Sequence, residues 1–120
     1  MLQLMKPRRF FLAQYVIDFR KGHMGLLSES RRLGYEPYAG DLVAFVSRDR
    51  TRVKAIFGDD SGLTIIYKVF SKGTLKTEIR FLRDPCARDV SLAEIAMLLE
   101  GSSYTVHKHA NKWLPSYLPR

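Results

Sequence analysis

Leu42-Val-Ala-Phe-Val46, Ser47-Arg-Asp-Arg-Thr51 and Arg52-Val-Lys-Ala-Ile-Phe57 follow one another without a break, and the spacing of their apolar residues points to the architecture. Leu42 to Val46 is a short apolar run with β-branched and aromatic side chains, the composition of a strand. Ser47 to Thr51 is polar enough to turn. From Arg52 apolar residues return at every second position, with Val53, Ala55 and Phe57 on one face and Arg52 and Lys54 on the other, the period of a pleated strand. The three pieces make a hairpin with a basic tip. Beyond the hairpin, Gly58-Asp-Asp-Ser-Gly62 is a run of turn formers, and Leu63 to Phe70 resumes the pattern with Leu63, Ile65, Tyr67 and Val69 on one side. Ser71-Lys-Gly73 predicts another tight reversal. Gly73 to Leu82 then alternates Leu75, Thr77, Ile79 and Phe81 with Lys76, Glu78 and Arg80, a strand with one solvated face. An antiparallel meander is the expectation.

Upstream, Phe10 to Asp18 is dense in aromatic and β-branched residues and stops at Arg20-Lys-Gly22, so it reads as a strand running into a turn. Both of its faces are apolar, which suits a central strand or one covered by helices. Met24 to Leu33 carries Met24, Leu26 and Leu27 ahead of a polar run, and Gly34 stands where a helix-ending glycine would; a short helix is predicted. Downstream, Ser91-Leu-Ala-Glu94 has the capping-box form, in which the Ser side chain and the Glu side chain each satisfy an amide of the first turn. The helix it opens has Leu92, Ile95, Ala96 and Leu99 as its apolar stripe, broadened by Met97 and Leu98, and Gly101 closes it. The expected fold is a single α+β domain over residues 1–102. It has a mostly antiparallel sheet of about five strands, open or partly rolled into a small barrel, with one inserted helix and one closing helix. Residues 103–120 read as an appended basic tail, rich in His, Lys, Asn and Pro.

A chain of 120 residues with 46% hydrophobic residues suits one soluble domain with a modest core. Its 20 Lys and Arg against 12 Asp and Glu leave a formal charge of +8, a balance that attracts polyanions, nucleic acid first among them. The one cysteine, Cys86, excludes an internal disulfide framework and a thiol-rich zinc site. The start places its charges after a short apolar run, the reverse of a secretory signal, and no run approaches the roughly 20 apolar residues that span a bilayer. A cytoplasmic protein is expected, with no membrane partner.

The constellation that carries binding chemistry is basic. Arg48, Arg50, Arg52 and Lys54 share parity, so if the backbone stays extended through the turn they line one edge and reach together toward a phosphate backbone. Arginine forks onto phosphate or guanine as lysine cannot. The plainer alternative is a charged tip that stays solvated and discourages edge pairing. Arg20 and Lys21 are the second candidate site, and their plainer alternative is a turn held by Asp18 with solvated cations; Lys68, within the third run, joins the set. Asp18, Asp41, Asp59, Asp60, Glu78 and Glu100 are the carboxylates available for two-metal chemistry, but they sit at strand ends, turns and a helix end. Gly58-Asp-Asp-Ser-Gly62 is not a G-x-S-x-G elbow. His23, His107 and His109 supply too few ligands for a metal site, and no phosphate-cradling glycine motif occurs. No catalytic residue, metal or cofactor is expected.

Five segments also carry a resemblance: Asp18-Phe-Arg-Lys-Gly22, Glu36-Pro-Tyr-Ala-Gly40, Arg48-Asp-Arg-Thr-Arg-Val-Lys54, Ser61-Gly-Leu-Thr-Ile-Ile-Tyr-Lys68 and Ala96-Met-Leu-Leu-Glu-Gly101. In this order, from about Phe11 to Ser102, they resemble the small accessory protein of the sixty-sixth insertion-sequence family, often called TnpB. Members read as a strand ending in a D-x-R-K-G-like turn, a short helix, a P-x-x-G approach to an Arg-rich hairpin, a G-L-x-x-x-Y-K strand and an L-L-x-G helix. The chain departs from that pattern at Phe57-Gly58, where members often have a Trp or other large aromatic pair, and its turn at Gly58 to Gly62 is longer. The resemblance implies bacterial transposition in an accessory role, since the separate transposase carries the catalytic carboxylates. The implied partners are DNA, weakly sequence-specific, together with the transposase and other proteins of the same element.

Two rival classes remain beside the basic DNA- or transposase-binding adaptor. A pure protein-interaction module would use the same charge against an acidic partner and never touch DNA. A small nuclease would need the carboxylates to converge.

Overall fold

The computed structural model describes residues 7–71 and 79–100. Its centre is a five-stranded open sheet in the order β4-β3-β2-β1-β5. The strands are β1 (Arg9–Ala13), β2 (Asp41–Val46), β3 (Arg52–Asp59), β4 (Gly62–Val69) and β5 (Ala87–Asp89), with helices α1 (His23–Arg32) and α2 (Leu92–Glu100) and a 3-10 turn at Pro37–Ala39. The α+β class and the mostly antiparallel sheet agree with the sequence reading.

The β2–β3–β4 meander forms as the alternation dictates, with Val43 opposite Ile56 and Ile56 opposite Ile65. β1 pairs with β2 in parallel, Phe11 opposite Val43, because the intervening chain includes α1 and is long enough to return to the same end of the sheet. Two expectations are corrected. β1 leaves the ladder after Ala13; Gln14 instead donates its N–H to the Cys86 carbonyl at 2.8 Å and accepts from Leu82 N–H at 2.7 Å. Among the described residues the fifth strand is not drawn from the predicted Gly73–Leu82 run. Residues 72–78 lie outside the described residues, Ile79 to Leu82 are not strand, and the sheet is completed by Ala87–Asp89 antiparallel to β1. Three residues reading Ala-Arg-Asp carry too little apolar alternation to announce a strand; docking against β1 makes one of them.

Apolar side chains line both faces of the sheet. One face gathers Leu12, Leu42, Ala44, Val46, Val53, Ala55 and Phe57 under Ile95, Leu98 and Leu99 of α2. The other gathers Phe11, Val43, Phe45 and Ile56 under Leu26 and Leu27 of α1, with Tyr15 and Ile17 from the segment after β1. All six residues of β2 are buried, so the two-sided burial expected of a central strand falls most fully there. Leu92, assigned to the buried stripe, is 46% exposed. The first turn of α2 stands clear of the sheet, and the contact runs through Ile95, Leu98 and Leu99, each worth about 1.5–3 kcal/mol when fully buried.

The helix ends follow their sequence signals. Ser91 Oγ accepts from Glu94 N–H at 3.1 Å and Glu94 accepts from Ser91 N–H at 3.3 Å, the reciprocal capping box. At the other helix, Gly34 adopts φ +93°; its N–H reaches the Arg31 carbonyl at 2.9 Å, and Tyr35 N–H reaches that of Ser30 at 3.0 Å. These paired bonds are the Schellman closure that needs a left-handed residue. Gly101 lies outside the described residues.

Candidate nucleic-acid interface

The segment Asp18-Phe-Arg-Lys-Gly22 leaves the sheet and turns into α1 with two local restraints. Asp18 accepts the backbone N–H of Arg20 at 2.9 Å and its guanidinium at 2.7 Å. The guanidinium and backbone N–H of Arg20 together hold the Asp18 carboxyl far below the usual carboxylate range. Arg20 is 91% exposed, so this pair shapes the turn more than it stabilises the protein. Lys21 runs its stem over Gly25, where an added Cβ would lie 3.0 Å from Lys21 Cβ, and its ammonium reaches Glu29 at 3.9 Å. Glu29 also accepts the Tyr15 hydroxyl at 2.7 Å. Burial, then that bond, push the Tyr15 hydroxyl's pKa well above its ordinary value, which keeps it a donor.

Long-range anchoring comes from β3. Lys54 is 9% exposed, and its ammonium donates to the carbonyls of Phe19 at 2.6 Å and Lys21 at 2.9 Å. It also lies 5.5 Å from the Phe19 ring centre and 4.9 Å from that of Tyr67. Tyr67 stands opposite Lys54 in the β3–β4 register, so strand pairing sets this geometry. Arg52, one side-chain period earlier on the same face, places its guanidinium 5.1 Å from the Phe19 ring centre. The Phe19 and Tyr67 rings meet at 6.4 Å with a 55° tilt. Tyr67 remains 51% exposed and Val69, opposite Arg52, 58%. Arg20, Lys21, Arg52 and the two rings therefore share one end of the α1 face, where the cations outnumber Asp18 and Glu29.

The turn splits the basic hairpin. Asp49 Oδ1 accepts Ser47 Oγ–H at 2.8 Å, Thr51 Oγ1–H at 2.7 Å and Thr51 N–H at 3.2 Å, and these donors bring its carboxyl down to about 2, Thr51's hydroxyl contributing most. Arg50 takes φ 60° inside this turn, so the chain is not extended there and the shared parity of Arg48, Arg50, Arg52 and Lys54 does not place them on one edge. Arg50 instead donates to the Ile79 carbonyl at 2.6 Å and lies 5.4 Å from the Phe81 ring centre. Lys68 lies beside Phe70, 5.7 Å from its ring centre. Both belong to the α2 side. Arg48 is exposed at the tip.

Of the seven basic residues singled out in the sequence, Arg20, Lys21 and Arg52 come together; Lys54 lies beneath them as their support, Arg50 and Lys68 face the other way, and Arg48 stands at the tip between. Phe19 and Tyr67 were not singled out as site residues. Their signal was an aromatic next to the Arg-Lys pair and another on the Arg52/Lys54 side of the next strand.

Among the described residues the carboxylates do not converge. Asp41 is buried and holds Arg9 through two bonds of 2.8 and 2.9 Å while accepting Glu36 N–H at 2.8 Å. Burial opposes its ionisation, yet the Arg9 and Glu36 bonds outweigh that and lower its pKa. Asp59 accepts Ser61 and Gly62 amides in the β3–β4 turn. Among the described residues no group of three or more His, Cys, Asp or Glu side chains is placed to hold a metal, and no helix is long and apolar enough to cross a membrane. His107 and His109 lie outside the described residues, as do the predicted tail 103–120 and Glu78.

The family pattern's missing aromatic at Gly58 has a local counterpart. A Cβ on Gly58 would stand 3.2 Å from the Tyr38 ring and 3.1 Å from Leu63, so Tyr38 from the P-x-x-G segment covers the place where a larger side chain would project.

The chain is 29% identical over 101 residues to an uncharacterized protein, y4jC, of Sinorhizobium fredii (strain NBRC 101917 / NGR234), covering 81% of each chain. No solved structure matches it. The description "IS66 Orf2 like protein" matches residues 8–109, a span that takes in the Asp18–Gly22 turn, the basic hairpin and α2 and runs past Ser102. The chain therefore belongs to the TnpB family of IS66 Orf2-like proteins, the accessory proteins of insertion-sequence transposition.

Proposed function

We propose that this chain is a non-catalytic adaptor that contacts DNA through the Arg20–Lys21–Arg52 surface and so helps the separate transposase engage its element. The observation that carries this reading is the tie from Lys54 to the Phe19 and Lys21 carbonyls, which draws the two basic segments of the sequence into one surface. A net charge of +8 supplies long-range attraction to a polyanion. The two arginines in the last turn of α1 are paired with Glu36 and Glu29, so contact is to phosphates through the Arg20–Lys21–Arg52 surface and has little sequence preference. Such an adaptor works in the bacterial cytoplasm, where DNA and transposase meet. Strand chemistry is left to the transposase, since Asp18, Asp41, Asp49 and Asp59 each have local structural work.

The test is titration of the purified protein with random and element-end duplexes at two salt concentrations, beside pull-down of the transposase with and without DNA. Salt-dependent binding to both duplexes is expected. Transposase capture without DNA, combined with no DNA binding even at low salt, would replace this reading with a pure protein-interaction module. Incubation with labelled DNA and Mg²⁺ or Mn²⁺ should leave the DNA intact.

A further inference from the structure

We propose that the surface built from Phe19, Tyr67 and Arg52 takes an unpaired nucleic-acid strand in preference to a duplex. This inference rests on the DNA-contact reading above and names the form of nucleic acid that the surface fits. A duplex buries its base faces within the stack and offers a protein phosphates, sugars and groove edges. Cations alone would suffice for that. This surface instead combines cations with aromatic rings. Tyr67 is 51% exposed, although it lies opposite a buried lysine in the register. Lys54 and Arg52 lie 4.9 Å and 5.1 Å from the centres of the Tyr67 and Phe19 rings, and such contacts hold the rings in place without covering Tyr67. An exposed ring among cations is the arrangement that binds single strands, because every base has a face to stack and the backbone follows the positive charge. Phe19 is half-buried with Arg52 and Lys54 against its ring, so Tyr67 is the open platform, and a base of an unpaired strand can turn to lie flat on it whereas a base inside a duplex stack cannot.

The experiment measures fluorescence anisotropy of the full chain with a labelled oligonucleotide, its duplex, and an abasic strand with the same phosphates, all at one low salt concentration. Tighter binding to the single strand than to the duplex or the abasic strand is expected. Tyr67→Ala should weaken single-strand binding by about 5- to 150-fold, the range that base–aromatic stacking supports, and by a larger factor than it weakens binding of the duplex. Tyr67→Phe should retain binding, since the ring and not the hydroxyl stacks, and it serves as the variant that keeps the strand's packing. Equal or tighter duplex binding, or equal binding of the abasic strand, overturns the single-strand inference and leaves the DNA-contact reading standing. Binding to none of the three nucleic acids overturns both.

Discussion

Lys54 Nζ lies 2.6 Å from the carbonyl oxygen of Phe19, a residue 35 positions earlier in the chain. A lysine on a half-buried strand face, opposite Tyr67, thereby becomes the fastener of a loop that carries Arg20 and Lys21 to the surface. Its aliphatic stem packs against the sheet while its ammonium serves two carbonyls, as long cationic side chains commonly do.

Lys54→Met keeps the stem and removes the donor. Hydrogen bonds to a charged group contribute about 1.5–3 kcal/mol, so a stability loss of about that size is expected in urea titration. Faster amide exchange should accompany it in residues 19 to 22. Exchange rates there identical to those of the unaltered protein would show that the tie does not hold the loop.

The two faces of the basic hairpin make opposite predictions. Arg20→Ser with Arg52→Ser should weaken duplex binding and flatten its salt dependence by about 0.9 in logarithmic slope for each phosphate that is no longer neutralised, with the thermal midpoint little changed. Arg50→Ser removes the donor to the Ile79 carbonyl and should lower stability with no change in that slope. A slope that drops for Arg50→Ser and holds for the double variant would transfer the DNA-binding surface to the α2 side.

Acid should destabilise the fold through Asp49, whose carboxyl is brought down to about 2 by Thr51 and Ser47. Because the folded value is depressed, the unfolded chain takes up the proton first. The contribution is therefore complete above the unfolded carboxylate value of about 3.9 and is lost as pH falls through about 2. Asp49→Asn should flatten the stability–pH curve across that window, as read by denaturant midpoints from pH 5 to pH 2. Superimposable curves would remove Asp49 from the acid response.

Gly34→Ala tests the closure of α1. Nothing lies within 4 Å of the added Cβ, and φ is +93°, so the cost is conformational and amounts to about 1–2 kcal/mol. Gly34→Asn should cost less, since asparagine visits the left-handed region. Equal thermal midpoints for glycine and alanine at this position would mean that the helix end relaxes without the Schellman bonds.

Elements whose signals are local were legible in the amino-acid sequence alone. The apolar run Leu42 to Val46, the alternation that follows from Arg52 to Val69 and the turn formers between them set the meander, because strand runs broken by short turns pair with their sequence neighbours. Ser91 and Glu94 set the start of α2 and Gly34 the end of α1, because caps are satisfied within a few residues. The five motif segments also sufficed to mark the family. Features that depend on partners distant in sequence emerged only on folding. Ala87–Asp89 is a strand because β1 offers an edge, and the parallel pairing of β1 with β2 follows from the path through α1. The candidate site divides for the same reason. Parity placed Arg50 beside Arg52, but side-chain alternation holds only while the backbone is extended, and Asp49 gathers the turn so that Arg50 adopts φ 60° and crosses to the other face. Phe19 and Lys54 meet only because the loop after β1 folds back over β3, a contact between residues too far apart for any local pattern to specify.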